Sequence, residues 1–347
     1  MKKSSILITL MLAVLLLNGC GAGHSKEYAN INDQEKEVAK VVIGYIPTWK
    51  DMRKTIDATD LNILTHINLS FLNPDASGAF LLNGEPICSD GASADIKYVV
   101  KKAHDNGVKV LVSLGGGTIP QCSGDWKGLL QSSHRTTVVN NLKALADFYN
   151  LDGIDVDIEG RLLNDISEAG DYTPFIQELR AVLHPLGKLV TCATASYVGG
   201  MIPKSSIPYF DYVNIMAYDN HWMRAENHAT FEDAVRDMEM WLDLGCPADK
   251  LVLGVPFYGY MGTVGSGGVA YKTIVEQDPN AAQVDAYKEY KYNGIPTMQA
   301  KTEYAIKHGA GIMIWEISND ASDSLSLLQA IGKKTKIRED RYKKGRG

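Results

Sequence analysis

The chain has 347 residues, of which 45% are hydrophobic, and it carries a formal net charge of −6 at pH 7. This composition is typical of a globular protein with one large core or a single α/β barrel. Because an acidic chain does not suit the polyanionic backbone of a nucleic acid, we expect no nucleic acid among its partners.

The N-terminal segment has the pattern of a bacterial export signal. Two lysines at positions 2 and 3 precede an apolar run over residues 6–17, which is shorter than the roughly 20 apolar residues that a bilayer span needs. The run leads into Leu-Asn-Gly-Cys, ending at Cys20. This sequence resembles a lipobox, in which the cysteine is lipidated and becomes the mature N-terminus. The alternative is an ordinary cleaved signal with an incidental cysteine.

We therefore predict a signal peptide over residues 1–19, a lipid on Cys20 and a polar tether over residues 20–38. The mature protein is expected to be an extracytoplasmic lipoprotein. It would be held on the bacterial membrane through Cys20, either at the periplasmic face or at the cell surface.

The four other cysteines have no metal-ligand spacing, and outside the cytosol an even number of them permits disulfides. Cys88 and Cys122 are the preferred pair, because both fall in loops rich in glycine and serine that follow predicted strands. Cys192 lies in an apolar run and is better interpreted as a buried thiol. With Cys246 as the fourth candidate, the sequence leaves the pairing open.

Eight apolar runs rich in β-branched residues recur along the chain, and helical patterns lie between most of them. Each run is apolar enough to be covered on both faces, which is typical of a parallel sheet. We therefore predict a (β/α)8 TIM barrel over residues 39–332. An open doubly wound sheet would need a phosphate-binding glycine loop after the first strand, where Tyr45 and Trp49 stand instead. The runs cover residues 41–46, 65–72, 108–114, 153–158, 189–195, 212–218, 251–257 and 311–315.

The longest interval between predicted strands is residues 258–310, in which five glycines fall between positions 259 and 268. We predict a long mobile loop followed by a helix, without a full-size insertion domain. Thr230 followed by Asp233 resembles a capping box and predicts the start of another helix. Residues 333–347 carry eight basic and two acidic residues, a composition that predicts a flexible basic tail.

The segment from Asp152 to Glu159 alternates acids with β-branched apolar residues. In a strand, Asp155, Asp157 and Glu159 point to one face and the apolar residues point to the other. Like charges about 6.6 Å apart along the strand can raise a pKa and keep a proton available near neutral pH. A general acid requires such a proton. Asp152 would point to the other face of the strand, and we assign it a structural role at the start of the strand.

Two other interpretations of this acidic strand are weaker. A calcium loop also has acids at alternate positions, but they lie on a turn that contains glycine, whereas β-branched residues fill the spacer positions here. A solvated edge strand has no reason to carry a complete apolar stripe on its other face. We predict neither a metal ion nor a cofactor.

In a barrel of this type the chemistry lies at the carboxyl-terminal ends of the strands. Aromatic side chains stack on the apolar faces of sugar rings, and carboxylates bind hydroxyl or amide groups, so both together indicate a carbohydrate cleft. For any single aromatic residue, core packing is the alternative. Candidate substrate-binding or catalytic residues stand at the ends of three further strands, namely Tyr45, Met216, Tyr218, Asp219 and Trp315.

Taken together, these motifs resemble those of the family 18 glycoside hydrolases, the chitinases and endo-β-N-acetylglucosaminidases. The acidic signature is complete at residues 152, 155, 157 and 159, and the resemblance spans about residues 40–330. A single Gly-Gly pair is weak evidence, but the signature in order with the other motifs is strong. The other matching segments are Ser113-Leu114-Gly115-Gly116, Met216-Ala217-Tyr218-Asp219, Pro256-Phe257-Tyr258-Gly259 and Trp315.

The resemblance implies substrate-assisted retaining catalysis. Glu159 would protonate the glycosidic oxygen and later activate water. Asp157 would hold the acetamido N–H and stabilise the positive intermediate, and Asp155 would share a proton with Asp157. Tyr218 would bind the acetamido oxygen. The subsite of the distorted sugar would have Trp315 as its floor and would be shaped by Met216, Tyr45 and Asp219.

The predicted function is hydrolysis of β-1,4 bonds between N-acetylglucosamine units in chitin or chitooligosaccharides. One alternative is an endo-β-N-acetylglucosaminidase that acts on the chitobiose core of N-glycans, and another is a glycan-binding lipoprotein without turnover. Tyr260 stands where many relatives have arginine, so contacts to distal sugars cannot be carried over. The short insertion argues against a deep processive tunnel. We expect a monomer.

Overall fold

The computed structural model describes residues 40–220, 227–265 and 267–335. Eight parallel strands close into a barrel in which each strand pairs with the next along the chain and the last pairs with the first. This confirms the predicted TIM barrel. The strands are β1 (Val41–Pro47), β2 (His66–Leu72), β3 (Lys109–Gly116), β4 (Gly153–Ile158), β5 (Leu189–Ala195), β6 (Tyr212–Met216), β7 (Leu251–Pro256) and β8 (Gly311–Trp315).

On β4 the alternation of side chains separates an apolar face from a face that carries the acids. On β4, Ile154, Val156 and Ile158 belong to the large hydrophobic core that the helices cover. Asp155 and Asp157, on the other face of the same strand, are also buried. The apolar residues therefore hold the strand in place while the acids face the interior of the barrel.

Ten α-helices occur in the described residues, and most of them cover the outside of the barrel. The predicted capping box is present, because Thr230 and Asp233 exchange side-chain and backbone hydrogen bonds. The last helix, Leu327–Thr335, includes the first three residues of the predicted tail. The helices are α1 (Met52–Ala58), α2 (Ser93–Asp105), α3 (Trp126–Leu129), α4 (Arg135–Phe148), α5 (Gly160–Glu168), α6 (Tyr172–Leu183), α7 (Phe231–Asp243), α8 (Tyr271–Val275), α9 (Ile295–His308) and α10 (Leu327–Thr335).

The interval after β7 differs from its prediction. Instead of a long mobile loop, it contains a small four-stranded antiparallel sheet and α8, followed by α9. Strands of two to four residues are too short to show an alternating pattern, so local periodicity does not reveal them. No full-size insertion domain is present in the described part of this interval, as predicted. Across the sheet the strands lie in the order Gly268–Ala270, Tyr258–Met261, Tyr290–Lys291 and Ala286–Tyr287.

The disulfide prediction is confirmed: Cys88 and Cys122 are bonded, with Cα atoms 5.5 Å apart. The bond joins the loop after β2 to the loop after β3. Cys192 and Cys246 are free and buried. The predicted signal peptide, Cys20 and the tether lie outside the described residues, as does the tail from residue 336. Within the described ranges, no helix has the length and apolar character of a membrane span.

Candidate active site

Asp155 lies at the centre of a hydrogen-bonded cluster inside the barrel. The strand register places Ser113 of β3 and Thr191 of β5 directly beside it. Its Oδ2 accepts hydrogen bonds from Tyr45 Oη (2.6 Å) and Ser113 Oγ (2.7 Å). Its Oδ1 accepts from Thr191 Oγ1 (2.5 Å) and Asn214 Nδ2 (3.5 Å). Burial raises the pKa of Asp155, and these donors partly oppose the rise, so the carboxyl group is rigid and fully partnered.

Asp157, unlike Asp155, is not fully partnered by hydrogen bonds. It is only 3% exposed, and its Oδ1 has no hydrogen-bond partner in the described part of the chain. Burial, followed by the negative charges of Glu159 and Asp155, raises the pKa of Asp157 well above its ordinary value. The raised pKa favours the protonated form of Asp157, in which the carboxyl group can donate a hydrogen bond toward Glu159.

Glu159 follows β4 directly and forms the N-cap of α5. Unlike the two aspartates it is partly exposed. Burial and the negative charge of Asp219 raise the pKa of Glu159 to about 7, although the hydrogen bond from Asp157 opposes the rise. Gly117, after β3, leaves space beside the carboxyl group, since a Cβ atom there would lie 3.3 Å from Glu159 Oε1. Glu159 is thus a carboxylic acid that solvent can reach and that can give up a proton near neutral pH.

The residues after β6 form the neighbouring wall. Tyr218 is buried, its hydroxyl lies 3.9 Å from Met313 Sδ, and burial raises its pKa well above the ordinary value, so it remains a hydrogen-bond donor. Asp219 adopts a left-handed backbone conformation (φ 59°). Its Oδ1 accepts hydrogen bonds from Tyr260 Oη (2.6 Å) and from His228 Nε2 (3.1 Å). Burial acts to raise the pKa of Asp219, but these partners outweigh it and the pKa is lowered.

Aromatic rings line the cleft on the side of β1, β2 and β8. Trp315 packs edge-on against Tyr45 (5.6 Å between centroids) and is stacked with Phe71 (5.8 Å). Trp49 is stacked with Phe71 at 6.1 Å, and it is 49% exposed. Met216 is partly buried against the cluster that contains Tyr45. This side of the cleft therefore offers ring faces next to the carboxyl groups.

A cleft of about 190 Å³ is lined by Trp49 and Phe71. Its lining includes Asn73 and Thr118, and it reaches the disulfide between Cys88 and Cys122. The disulfide thus ties together the two loops that border this end of the cleft.

The family model for glycosyl hydrolases family 18 matches residues 41–320. The chain belongs to this family. Among solved structures, the GH18 chitinase ChiB from the chitin utilization locus of Flavobacterium johnsoniae is 32% identical, with a TM-score of 0.74 over 85% of this chain and 94% of that one. A chitinase from Bacteroides thetaiotaomicron is 28% identical, with a TM-score of 0.74 over 85% and 96% of the two chains.

Curated relatives of this family 18 protein are more distant. "Probable chitinase 2" of Drosophila melanogaster is 25% identical over 81% of this chain and 72% of its own length. "Chitinase A1" of Niallia circulans is 23% identical over 82% of this chain, and the match spans 57% of that relative. The chain thus covers less than two thirds of some of the curated relatives that it matches.

All eight residues predicted for the site of this family 18 protein lie in β1, β4, β6 and β8 or in the few residues that follow β4 and β6. Tyr45 contacts Asp155 directly, and Asp157, Glu159 and Asp219 influence one another electrostatically. Cys20 lies outside the described residues. In the ranges that the structure describes, no group of three or more histidine, cysteine or acidic residues could hold a metal ion.

The sequence did not identify Thr191, Phe71 or His228 as site residues. Thr191 and Phe71 lie on predicted strands, and Thr191 becomes recognisable only when β4 and β5 are set in register. His228 comes from the segment before α7 and reaches Asp219 only through the tertiary fold. No local pattern marks it.

Proposed function

We propose that the protein is a chitinase that hydrolyses β-1,4 bonds between N-acetylglucosamine units. The observation that carries this proposal is Glu159, a partly exposed carboxylic acid with a pKa of about 7 beside Asp157, whose pKa is also raised. Such a group can protonate a leaving oxygen at neutral pH. Further support comes from the 32% identical chitinase of a chitin utilization locus.

In the proposed reaction, Glu159 gives its proton to the glycosidic oxygen as the bond from that oxygen to C1 breaks. The carbonyl oxygen of the 2-acetamido group of the same sugar forms a bond to C1, which gives an oxazolinium ion. Glu159, now a carboxylate, takes a proton from a water molecule. The oxygen of this water attacks C1 and breaks the bond between C1 and the acetamido oxygen, which opens the oxazolinium ring. Since C1 is inverted twice, the product keeps the β configuration.

The neighbouring residues would support the acetamido group during this reaction. Asp157 is adjacent to Glu159 and can bind the acetamido N–H, and when its proton moves to Asp155 its negative charge offsets the positive intermediate. Asp155 stays fixed by four hydrogen bonds and can share a proton with Asp157. Tyr218 keeps its hydroxyl proton and can donate to the acetamido oxygen.

The aromatic side of the cleft supports a polymeric sugar substrate. Trp315 would lie under the distorted sugar, with Tyr45, Met216 and Asp219 around it. Phe71 and the half-exposed Trp49 extend the apolar surface away from Glu159. Ring faces next to carboxyl groups suit N-acetylglucosamine, which has both apolar faces and hydroxyl groups.

The test is incubation of the purified protein with chitohexaose and, separately, with a high-mannose glycoprotein. We expect shortening of the hexamer, with β-anomers as the first products by proton NMR and no release of the intact N-glycan. Release of the glycan without shortening of the hexamer would favour the endo-β-N-acetylglucosaminidase. Binding of the hexamer without any product, equal in the wild type and in Glu159→Gln, would show a glycan-binding protein.

We also propose that the enzyme acts outside the cytoplasm as a lipoprotein attached through Cys20. The Cys88–Cys122 disulfide supports an oxidising compartment, where such bonds persist. Expression of the wild type and Cys20→Ser in a bacterial host with a radiolabelled fatty acid is the test. We expect label and membrane attachment in the wild type alone, and equal labelling of both would contradict the proposal.

A further inference from the structure

His228 is a buried histidine in contact with the candidate active site. Its side chain is fully buried, and its ring packs against those of Tyr258 (4.9 Å between centroids) and Tyr260 (4.8 Å). Its Nε2 lies 3.1 Å from Asp219 Oδ1. The ring is therefore enclosed on the side of the tyrosines and directs one nitrogen at the carboxylate of Asp219.

The backbone that carries His228 is fixed from the side of α9. Asn293 Nδ2 donates a hydrogen bond to the carbonyl oxygen of His228 (3.2 Å). Lys301, which is fully buried, donates to the carbonyl oxygen of Ala229 (2.5 Å) and to Asn293 Oδ1 (2.7 Å). Ala229 has a left-handed backbone (φ 53°), which these bonds stabilise. The position of the imidazole is thus set independently of any substrate.

The charges around His228 determine its protonation. Burial lowers the pKa of His228, the hydrogen bond and charge of Asp219 raise it, Lys301 lowers it further and the backbone of Tyr258 raises it, with a net lowering. The hydroxyl groups of Tyr258 and Tyr260 stay neutral because burial raises their pKa values. A neutral imidazole has one N–H, and the carboxylate partner places it on Nε2.

We propose that His228 is a positioning residue for the hydrolysis described under Proposed function, on which this inference rests: it holds Asp219 as a carboxylate in one orientation at the cleft wall. Two donors, His228 and Tyr260, converge on the same oxygen of Asp219. The Asp219 side chain is nevertheless 44% exposed. It is therefore fixed from behind while it remains accessible to a sugar hydroxyl, and its charge acts on Glu159.

The test compares His228→Gln, whose amide N–H can replace Nε2–H, with His228→Phe, which keeps the bulk of the ring but removes the donor. His104→Phe is the matched control, because His104 Nε2 lies 2.8 Å from Asp152 in a similar pair at the opposite end of the barrel. Values of kcat and KM on chitohexaose would be measured as a function of pH, with thermal unfolding as the check on folding.

For His228→Phe we expect kcat/KM to fall by on the order of tenfold, the value of a hydrogen bond to a charged group. Its acid limb should move toward neutral pH, because Asp219 loses the partner that keeps its pKa low. His228→Gln should stay within a few fold of the wild type, and neither His228→Gln nor His104→Phe should move the acid limb. An equal loss of kcat/KM in both His228 variants with an unchanged pH profile would show a merely structural role and overturn the inference. Wild-type kinetics of His228→Phe would also overturn it.

NMR of isotope-labelled histidine gives a second readout that requires neither turnover nor a folded His228→Phe variant. We expect the His228 signal, assigned by its loss in His228→Gln, to report a neutral Nε2–H tautomer at neutral pH. Asp219→Asn should lower the pKa of His228, since a negative partner is removed. A proton on Nδ1, or no response to Asp219→Asn, would overturn the inference. If the wild type binds chitohexaose without cleaving it, the proposed function fails while this measurement still decides the His228–Asp219 pairing.

Discussion

The two ends of β4 carry the same type of side chain, but the burial and hydrogen bonding of the two carboxyl groups differ. At the amino-terminal end, Asp152 Oδ2 accepts hydrogen bonds from the backbone N–H of Val110 (2.7 Å) and from His104 Nε2 (2.8 Å), and the side chain is 31% exposed. At the carboxyl-terminal end, Asp157 is buried, one of its oxygens has no partner in the described chain, and Glu159 repels its charged form. Asp152 therefore stabilises the folded state, whereas the burial of Asp157 destabilises it.

This difference separates structure from chemistry within one strand. A carboxylate with donors and solvent contact stabilises the folded state, whereas a buried carboxyl group next to another one is destabilising unless it keeps a proton. Such a proton is what hydrolysis needs. The four predictions that follow test whether the two ends differ in this way.

The largest effect is expected for Glu159→Gln, which removes the proton donor but keeps the shape of the side chain. Loss of a general acid lowers kcat/KM by roughly a hundredfold to ten-thousandfold. Asp152→Asn at the other end should change kcat/KM by no more than a few fold, while unfolding in urea should reveal a loss of about 1 kcal/mol. Comparable losses of activity in both variants, measured on chitohexaose, would remove the distinction between the two ends.

Glu159→Gln should also change how stability depends on pH. The folded-state pKa of Glu159, about 7, exceeds its ordinary value of 4.5, so between these values the folded protein binds more protons than the unfolded chain. The wild type therefore loses stability as pH rises through this window, on the order of 2 kcal/mol from this group. Glu159→Gln lacks this loss and should be the more stable protein at about pH 8. Parallel stability curves from urea unfolding would contradict the raised pKa.

Asp219→Asn tests the electrostatic influence on Glu159 at the carboxyl-terminal end. The negative charge of Asp219 raises the pKa of Glu159, so its removal should move the basic limb of kcat/KM to lower pH. Asp243→Asn, an exposed residue at the end of α7, is the control for a lost charge and should leave the limb in place. An unmoved limb in Asp219→Asn would show that Glu159 titrates independently of its neighbour.

The smallest effect is expected for Gly117→Ala. The new methyl group would lie 3.3 Å from Glu159 Oε1, which is tight enough to displace the carboxyl group by a few tenths of an ångström. We expect kcat to fall a few fold with little change in KM. Gly268→Ala, where the nearest atom is 3.7 Å away, is the matched control. Equal rates for the two variants would show that Glu159 tolerates the crowding.

The barrel could be predicted because each strand has a continuous apolar run that is visible locally. The acids of β4 could be predicted for the same reason, since their alternation with Ile154, Val156 and Ile158 needs no knowledge of the partner strands. The hydrogen bonds from Thr191 and Asn214 to Asp155 depend on strand register, which no single strand reveals. Strand ends were therefore easier to predict than the contacts between strands.

The small sheet after β7 and the position of His228 could not be predicted from the sequence. Tyr258–Met261 pairs with Tyr290–Lys291, about thirty residues away along the chain, and strands this short have no periodicity of their own. His228 owes its position to Lys301 and Asn293, which are still farther along the chain. Both features arise from long-range packing rather than from local sequence.

The bond between Cys88 and Cys122 has a consequence for how the protein must be produced. It joins residues 34 positions apart. In the chain-entropy model, a cross-link of that span raises the free energy of the unfolded chain by about 4 kcal/mol. Material made under reducing conditions would lack this restriction, and the border of the cleft near Trp49 would be free to separate. Recombinant protein should therefore be prepared in an oxidising compartment before weak binding of long oligomers is taken as a property of the native protein.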